Sequence, residues 1–385
     1  MIRKIPLSWL QLTREKTRLL VALTGIGFAN ILMFVQLGLR DALFDSAVRL
    51  YASLQGDIFL ISPDSVSLIS MEQFSERRLY QVIGFKGVES VSPLYLDFAR
   101  WKNPQTRKTR NIFVIGFNPE EDVFNLPEVQ QNASKLKVPD VVLFDEGSRA
   151  EYGPVSTEFN QRQSVTTEVR NRKITVKGLF KIGPSFGADG NLITSDINFI
   201  RLFPNLRTKG LIDLGIINLK PNTNIEEALE EFRTILPKDV KVLSKQELMD
   251  FEKSYWNSST PIGFIFTLGA GLAFIIGTVI VYQILYSNIS EHLSEYATLK
   301  AMGYTDIYLL LVVFQEALIL AILGYIPGFC ISLIVYEGVR SSTLLPIMIT
   351  SSRAILVLIL TILMCSVSGA IALRKLRTAD PADIF

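Results

Sequence analysis

The chain has 385 residues, 49% of them hydrophobic and 20% charged, with a formal net charge of +2. That balance excludes a broad basic surface for nucleic acid and suits a chain that combines membrane spans with a water-exposed domain. The only histidine, His292, and two separated cysteines inside apolar runs, Cys330 and Cys365, give little basis for a metal cluster, a disulfide framework or a Ser–His or Cys–His nucleophile.

Residues 1–18, MIRKIPLSWLQLTREKTR, are too long and too charged for the first region of a signal peptide. No A-x-A cleavage pattern follows, so the apolar run behind them reads as a retained span. Crossing about 30 Å of hydrocarbon takes roughly 20 apolar residues in a helix. Four segments qualify: 19–39, 262–286, 308–336 and 354–373. In the third, Gly324, Pro327 and Gly328 predict a kink or a broken helix.

Arg3, Lys4, Arg14, Lys16 and Arg18 precede the first span, and Arg374, Lys375 and Arg377 follow the fourth. Positive charge beside spans marks the cytoplasmic side. The segment 1–18 and the tail 374–385 are therefore assigned to the cytoplasm of a multi-pass inner (plasma) membrane protein. The loop 287–306 then also faces the cytoplasm, while 40–261 and 337–353, with Arg340 and Arg353 in or beside the latter, face the periplasm. The fold class is an integral membrane α-helical protein with four transmembrane helices and a large α+β periplasmic domain inserted between helices one and two.

Within 40–261, GDIFLIS (56–62), VESVSPLYLDFARW (88–101) and RNIFVIGF (110–117) read as strands, with a helical stretch over 71–83. Residues 141–153 read as a strand entering a helix, and 164–183 as a hairpin turning at Asn171–Arg172. Residues 192–203, 214–236 and 241–256 each read as a strand followed by a helix. Asn224 is placed to cap the second of these helices, and Ser244 starts the third. Stretches 40–51 and 245–257 are predicted as two stalk helices that join this domain to the spans.

Gly269, Ala273 and Gly277 fall on one helix face, and Gly324 and Gly328 repeat the spacing. Small residues so spaced allow close helix packing, either inside the chain or at a dimer or sliding interface. Glu316 stands inside the third apolar run, as either a packed structural acid or a gating group. Asn30 and Gln36 suit interhelical hydrogen bonds. The acids Glu120, Glu121 and Asp122, and the pair Asp145 and Glu146, read as solvated loop or helix-start charges. No G-x-x-x-x-G-K-[ST] occurs, so this chain does not cradle ATP phosphates in the P-loop manner. Residues 287–306 can form a short helix closed by Gly303, with Lys300 in its last turn. Such a helix could lie on the membrane face or press into another protein's groove.

EYATLKAMGYT (295–305) resembles the signature of FtsX-like/MacB-type ABC permeases, roughly E-[IL]-G-x-[LM]-[KR]-A-[ILM]-G. Glu295, Leu299, Lys300, Ala301, Met302 and Gly303 match; Ala297 stands where many members have glycine. LSWLQLTREKTRLLVALTGIGFA (7–29) is similar to the family's start, and LRKLRTADPADIF (373–385) to its basic ending. With Tyr296, the signature looks most like the DevC subgroup of cyanobacterial heterocyst exporter permeases.

The resemblance implies a permease domain over 262–380 and a MacB-like periplasmic domain. Two copies of the chain would pair with two cytoplasmic ATP-binding-cassette subunits. Residues 287–306 would be the coupling helix, touching the ATPase through Glu295, Tyr296, Leu299, Lys300, Ala301, Met302 and Gly303. The chain itself would be no enzyme and would bind no cofactor, ATP and Mg being used by the partner. Motion would pass to a periplasmic membrane-fusion adaptor and a TolC-type outer-membrane channel, exporting glycolipid or another envelope component. The alternatives within the same family are regulation of cell-wall hydrolases by transmembrane signalling, and lipoprotein release. Lipid is the remaining partner, and nucleic acid is not one.

Overall fold

The computed structural model describes residues 16–204 and 208–378. In chain order its helices are α1 (Lys16–Ala47), α2 (Arg49–Ser53), α3 (Arg77–Gln81), α4 (Pro127–Asn132), α5 (Val155–Arg162), α6 (Asp196–Leu202), α7 (Ile225–Ile235), α8 (Lys245–Ser254), α9 (Pro261–Glu291), α10 (Leu293–Ala301), α11 (Asp306–Thr343) and α12 (Ser351–Thr378). Its strands are β1 (Ile58–Ile61), β2 (Phe74–Ser75), β3 (Val88–Lys102), β4 (Thr109–Phe117), β5 (Val141–Asp145), β6 (Val165–Val169), β7 (Arg172–Phe180), β8 (Asn191–Ser195), β9 (Leu211–Ile212), β10 (Leu214–Leu219) and β11 (Lys241–Ser244). They form two compact units, one helical and one built on a sheet over Leu43–Thr260.

In the sheet unit nine strands run in the order β11-β1-β10-β3-β4-β8-β5-β7-β6. Pairs β4–β8 and β5–β7 are parallel and the rest antiparallel. The far end of β3 also pairs with β6, Trp101 opposite Val169, which closes six strands into a ring. Each strand of the ring sends alternate apolar residues into one cluster, among them Trp101, Ile112, Val142, Val169, Ile174 and Leu192. Closure of this kind removes open edges from that part of the sheet. The open extension β11-β1-β10 is covered on one face by α3 and α7 through Leu79, Leu229 and Phe232, and on the other by α2 and α8 through Leu50, Tyr51 and Leu248.

Local signals explain most of these elements. The Asn224 Oδ1 accepts from the N–H of Glu226 at 3.0 Å, which starts α7. Ser244 and Glu247 form a reciprocal capping box at the start of α8.

Four details differ from the sequence reading. The helix over 71–83 is shortened to α3, because Phe74 pairs with Ile212 and the Glu76 N–H bonds to Gly210 O at 2.9 Å. The β6–β7 hairpin turns at Arg170–Asn171, one residue earlier, with φ of 50° and 62° there. Two consecutive positive φ values are what a twisted two-residue hairpin requires. Asp145 is fully buried and unsolvated; it accepts from the N–H groups of Gly147 (3.0 Å), Ile182 (3.1 Å) and Gly183 (2.8 Å) and from Asn191 Nδ2 (2.7 Å). It organises the turns after β5 and β7. Burial nevertheless pushes its carboxyl above the usual range, with those bonds opposing the rise. Finally, α11 runs unbroken through Pro327.

Among the described residues, the helical unit contains four helices long and apolar enough to cross a membrane: Lys16–Ala47, Pro261–Glu291, Leu310–Thr343 and Ser351–Leu373. They share a buried core that includes Ala22, Ile26, Ala29, Val281, Leu285, Val313, Leu320 and Met364.

Candidate functional site

The 295–303 segment falls on the elbow between α9 and α11. His292 interrupts the helix assignment but not its bonding: the N–H of His292 reaches Asn288 O at 3.2 Å, and that of Tyr296 reaches His292 O at 3.0 Å. At the other end Gly303 adopts φ of 93°, and the Tyr304 N–H bonds back to Leu299 O at 3.1 Å. That 6→1 bond with a left-handed residue before it is a Schellman ending, which glycine adopts without strain.

The predicted residues separate into two groups here. Tyr296, 1% exposed, is turned into the helical core, and Leu293 and Leu299 pack partly against it. Met302 is 63% exposed, and Tyr304, Ile307 and Tyr308 after it are also exposed, with the two tyrosine rings 4.7 Å apart. Glu295 is exposed and lies 3.2 Å from His292 Nδ1. The helical backbone includes Lys300 and Ala301, but their side chains, like that of Ala297, lie outside the described residues. The elbow is thus anchored by one inward aromatic and presents an apolar tip to whatever lies beyond it.

Behind the elbow sits a buried polar pair. Asn288 Nδ2 donates to Glu316 Oε1, linking α9 to α11. Glu316 is 1% exposed, among the buried Val312, Val313, Ala317 and Leu320. Its Oε2 and the Nε2 of His292, one helical turn along from Asn288, are buried without a partner. Arg18 on α1 forks onto Glu291 at the end of α9.

The small residues singled out in the sequence gather around α1. A Cβ added at Gly269 would lie 2.6 Å from Gln36 Cδ, at Gly277 2.8 Å from Ala29 Cβ, and at Gly324 2.6 Å from Ile26 Cγ2. At Gly328 it would meet Asn30 Cβ at 2.8 Å, while Ala273 is 1% exposed. Both small-residue faces are therefore taken up by packing within the chain. On either side of Pro327, Gly324 and Gly328 bring α11 against Gly27 of α1, and Ser332 Oγ donates to Gly328 O at 2.7 Å. The Thr361 hydroxyl of α12 lies 2.6 Å from Asn30 Oδ1. Arg353, nearly buried, meets Asp41 Oδ2 at 2.6 Å and Met348 O at 2.6 Å.

In the sheet unit the first and last chain segments meet. Lys253 Nζ lies 2.9 Å from Asp45, and Lys245 Nζ donates to Leu54 O at 2.7 Å. Between them Glu252, 1% exposed, accepts from the Leu68 N–H at 2.7 Å and from Trp256 Nε1 at 2.8 Å, beside Tyr51. Burial pushes the Glu252 carboxyl up to about 7 and the Tyr51 hydroxyl well up as well. A wider π-turn over Tyr255–Ser259 follows directly.

Sequence reasoning missed Asn288, the Arg353–Asp41 pair and Glu252. The first two stood as polar residues in or beside apolar runs, which is a usable signal; Glu252 gave none in a helix rich in acids.

Residues 267–381 match the family described as FtsX-like permease C-terminal. Among solved structures the chain is similar to the periplasmic region of MacB from Actinobacillus actinomycetemcomitans, at 11% identity and a TM-score of 0.35, over 51% of this chain and 92% of that one. It is also similar to the extracellular domain of the noncanonic ABC-type transporter YknZ from Gram-positive bacteria, at 13% identity and a TM-score of 0.34, over 49% of this chain and 98% of that one. No curated protein matches the chain.

Proposed function

We propose that this chain is the permease subunit of an ABC exporter. The observation that carries the reading is the FtsX-like permease match over 267–381, which spans the elbow and three of the four membrane-length helices. A separate cytoplasmic ATPase binds the exposed tip of the elbow, where Met302, Gly303 and Tyr304 stand clear of the helical core. Tyr296 and Leu299 pass its movement into α9 and α11. Two copies act together, with both termini in the cytoplasm. The sheet unit, on the periplasmic side, works as a lever on a membrane-fusion adaptor and a TolC-type channel. The cargo is a glycolipid or another envelope component, as in DevC-type exporters. ATP and Mg are handled by the partner, and this chain does no chemistry. The apolar character of the four long helices supports mechanical transmission over conduction through their midst.

Gly303→Val tests the elbow. At φ of 93° a β-branched residue is strained by about 1–3 kcal/mol. Nothing stands within 4 Å of the added Cβ, so the cost is confined to the turn. The variant, and Lys300→Glu beside it, are expected to fold in detergent yet lose stimulation of the partner's ATP hydrolysis. Full stimulation in both would refute the coupling assignment.

A further inference from the structure

We infer that the sheet unit carries a phosphate-binding pocket at the seam that closes its ring. A cavity of about 470 Å³ opens there, where β3 meets β4 on one side and β6 on the other. Its lining includes Arg100, Lys102, Arg170 and a single acid, Glu168. Glu168 is already engaged: Lys102 Nζ lies 2.9 Å from one oxygen and Arg107 Nη2 2.7 Å from the other. Those two ion pairs hold its carboxyl below the usual range. Among the described residues, Arg100 and Arg170 have no carboxylate partner.

The two free guanidinium groups are positioned by the fold. The Arg170 N–H bonds to Arg100 O at 3.0 Å, which holds the two residues side by side across the seam. Arg170 sits at φ of 50° in the tight hairpin turn, with its guanidinium 4.8 Å from the centre of the Phe203 ring. A cation over an aromatic face loses little freedom on meeting an anion. Asn111 lies directly opposite Arg100 on β4, and Asn171 completes the turn, so two amide groups join the guanidinium pair.

Two guanidinium groups left unneutralised call for a ligand with two negative charges and several acceptor oxygens. A phosphate monoester supplies both, and a lone carboxylate supplies one charge only. The volume suits a headgroup-sized ligand rather than a nucleic-acid strand. The same group could arrive on a small soluble ester or on a lipid. The inference stands apart from the transport reading and survives or fails without it.

The test uses the full chain in neutral maltoside detergent, in chloride buffer at constant ionic strength, so that general screening is held fixed. Thermal unfolding is followed while glycerol 3-phosphate, dihexanoyl phosphatidic acid or sodium acetate is titrated. Saturable stabilisation by either phosphate probe, weakened at least about tenfold in Arg100→Gln and Arg170→Gln, supports the pocket. Asn171→Asp keeps a residue that accepts positive φ while adding a repelling charge, so it covers the case in which an arginine variant misfolds. It too should abolish the response, whereas Lys137→Gln, at a separate exposed ion pair with Glu120, should leave it intact. A lipid probe effective at tenfold lower concentration assigns a lipid headgroup; equal responses assign a soluble ester. No saturable response, a response equal to that of acetate, or one unchanged in all three pocket variants overturns the inference.

Discussion

Replacing Glu252 by glutamine should change how the stability of the sheet unit depends on pH. Burial raises this carboxyl to about 7, against opposing hydrogen bonds from the Leu68 N–H and Trp256 Nε1. An unfolded glutamate titrates near about 4.3. Between those values the folded chain holds a proton that the unfolded chain has released. The stability contribution is therefore greatest below about pH 4.5 and is lost as pH rises through about 7. The gap of about 2.7 in pKa, at ~1.4 kcal/mol each, comes to ~3.7 kcal/mol in all, of which ~2.5 kcal/mol is lost between pH 5 and 8. Glutamine does not titrate, although its amide leaves one of the two donors less well met, at a pH-independent cost of ~1–3 kcal/mol. The diagnostic quantity is thus the slope and not the absolute stability. Thermal unfolding of the full chain, followed by tryptophan fluorescence from pH 5 to 8, should show the wild type losing roughly 5–10 °C more than Glu252→Gln across that range, at about 2–4 °C per kcal/mol for a unit of this size. Parallel curves for the two proteins would refute the reasoning. So would a variant that loses more than the wild type.

Other substitutions probe the rest of the architecture. Gly277→Leu forces a side chain into Ala29 and Met364, and the overpacking should cost ~1–3 kcal/mol or more, seen as aggregation on size-exclusion chromatography in detergent. Ser244→Ala removes half of the capping box on α8 and should lower the stability of the sheet unit by ~1 kcal/mol in denaturant titrations. Asn288→Leu strips the buried Glu316 of its donor and should cost ~1–3 kcal/mol, while the double change with Glu316→Leu should recover most of that loss in a double-mutant cycle.

The features legible in the sequence are those set by neighbours along the chain. Apolar length marked the four long helices, alternation marked β3 and β4, and Asn224 and Ser244 marked the starts of α7 and α8 because a cap acts within one turn. What escaped depends on partners far away. Nothing local in VTTEV (165–169) says that Val169 will meet Trp101 and close a ring. Asp145 looked like a loop charge, since the N–H groups that bury it come from residues 147, 182 and 183 together. At the elbow, the pattern 295–303 was visible as a motif, yet its two faces were not. Tyr296 reads as one more signature residue until the core around it shows that it points inward while Met302 points out.

The most direct test of the central claim is co-purification. The full chain, tagged after Phe385 and extracted in mild detergent, would be pulled down, its companions identified, and the complex assayed for Mg-dependent ATP hydrolysis. The account predicts an ATP-binding-cassette subunit in the complex, active ATP hydrolysis, and loss of its stimulation in Gly303→Val. A chain that retains no such subunit, with no associated hydrolysis, would contradict it.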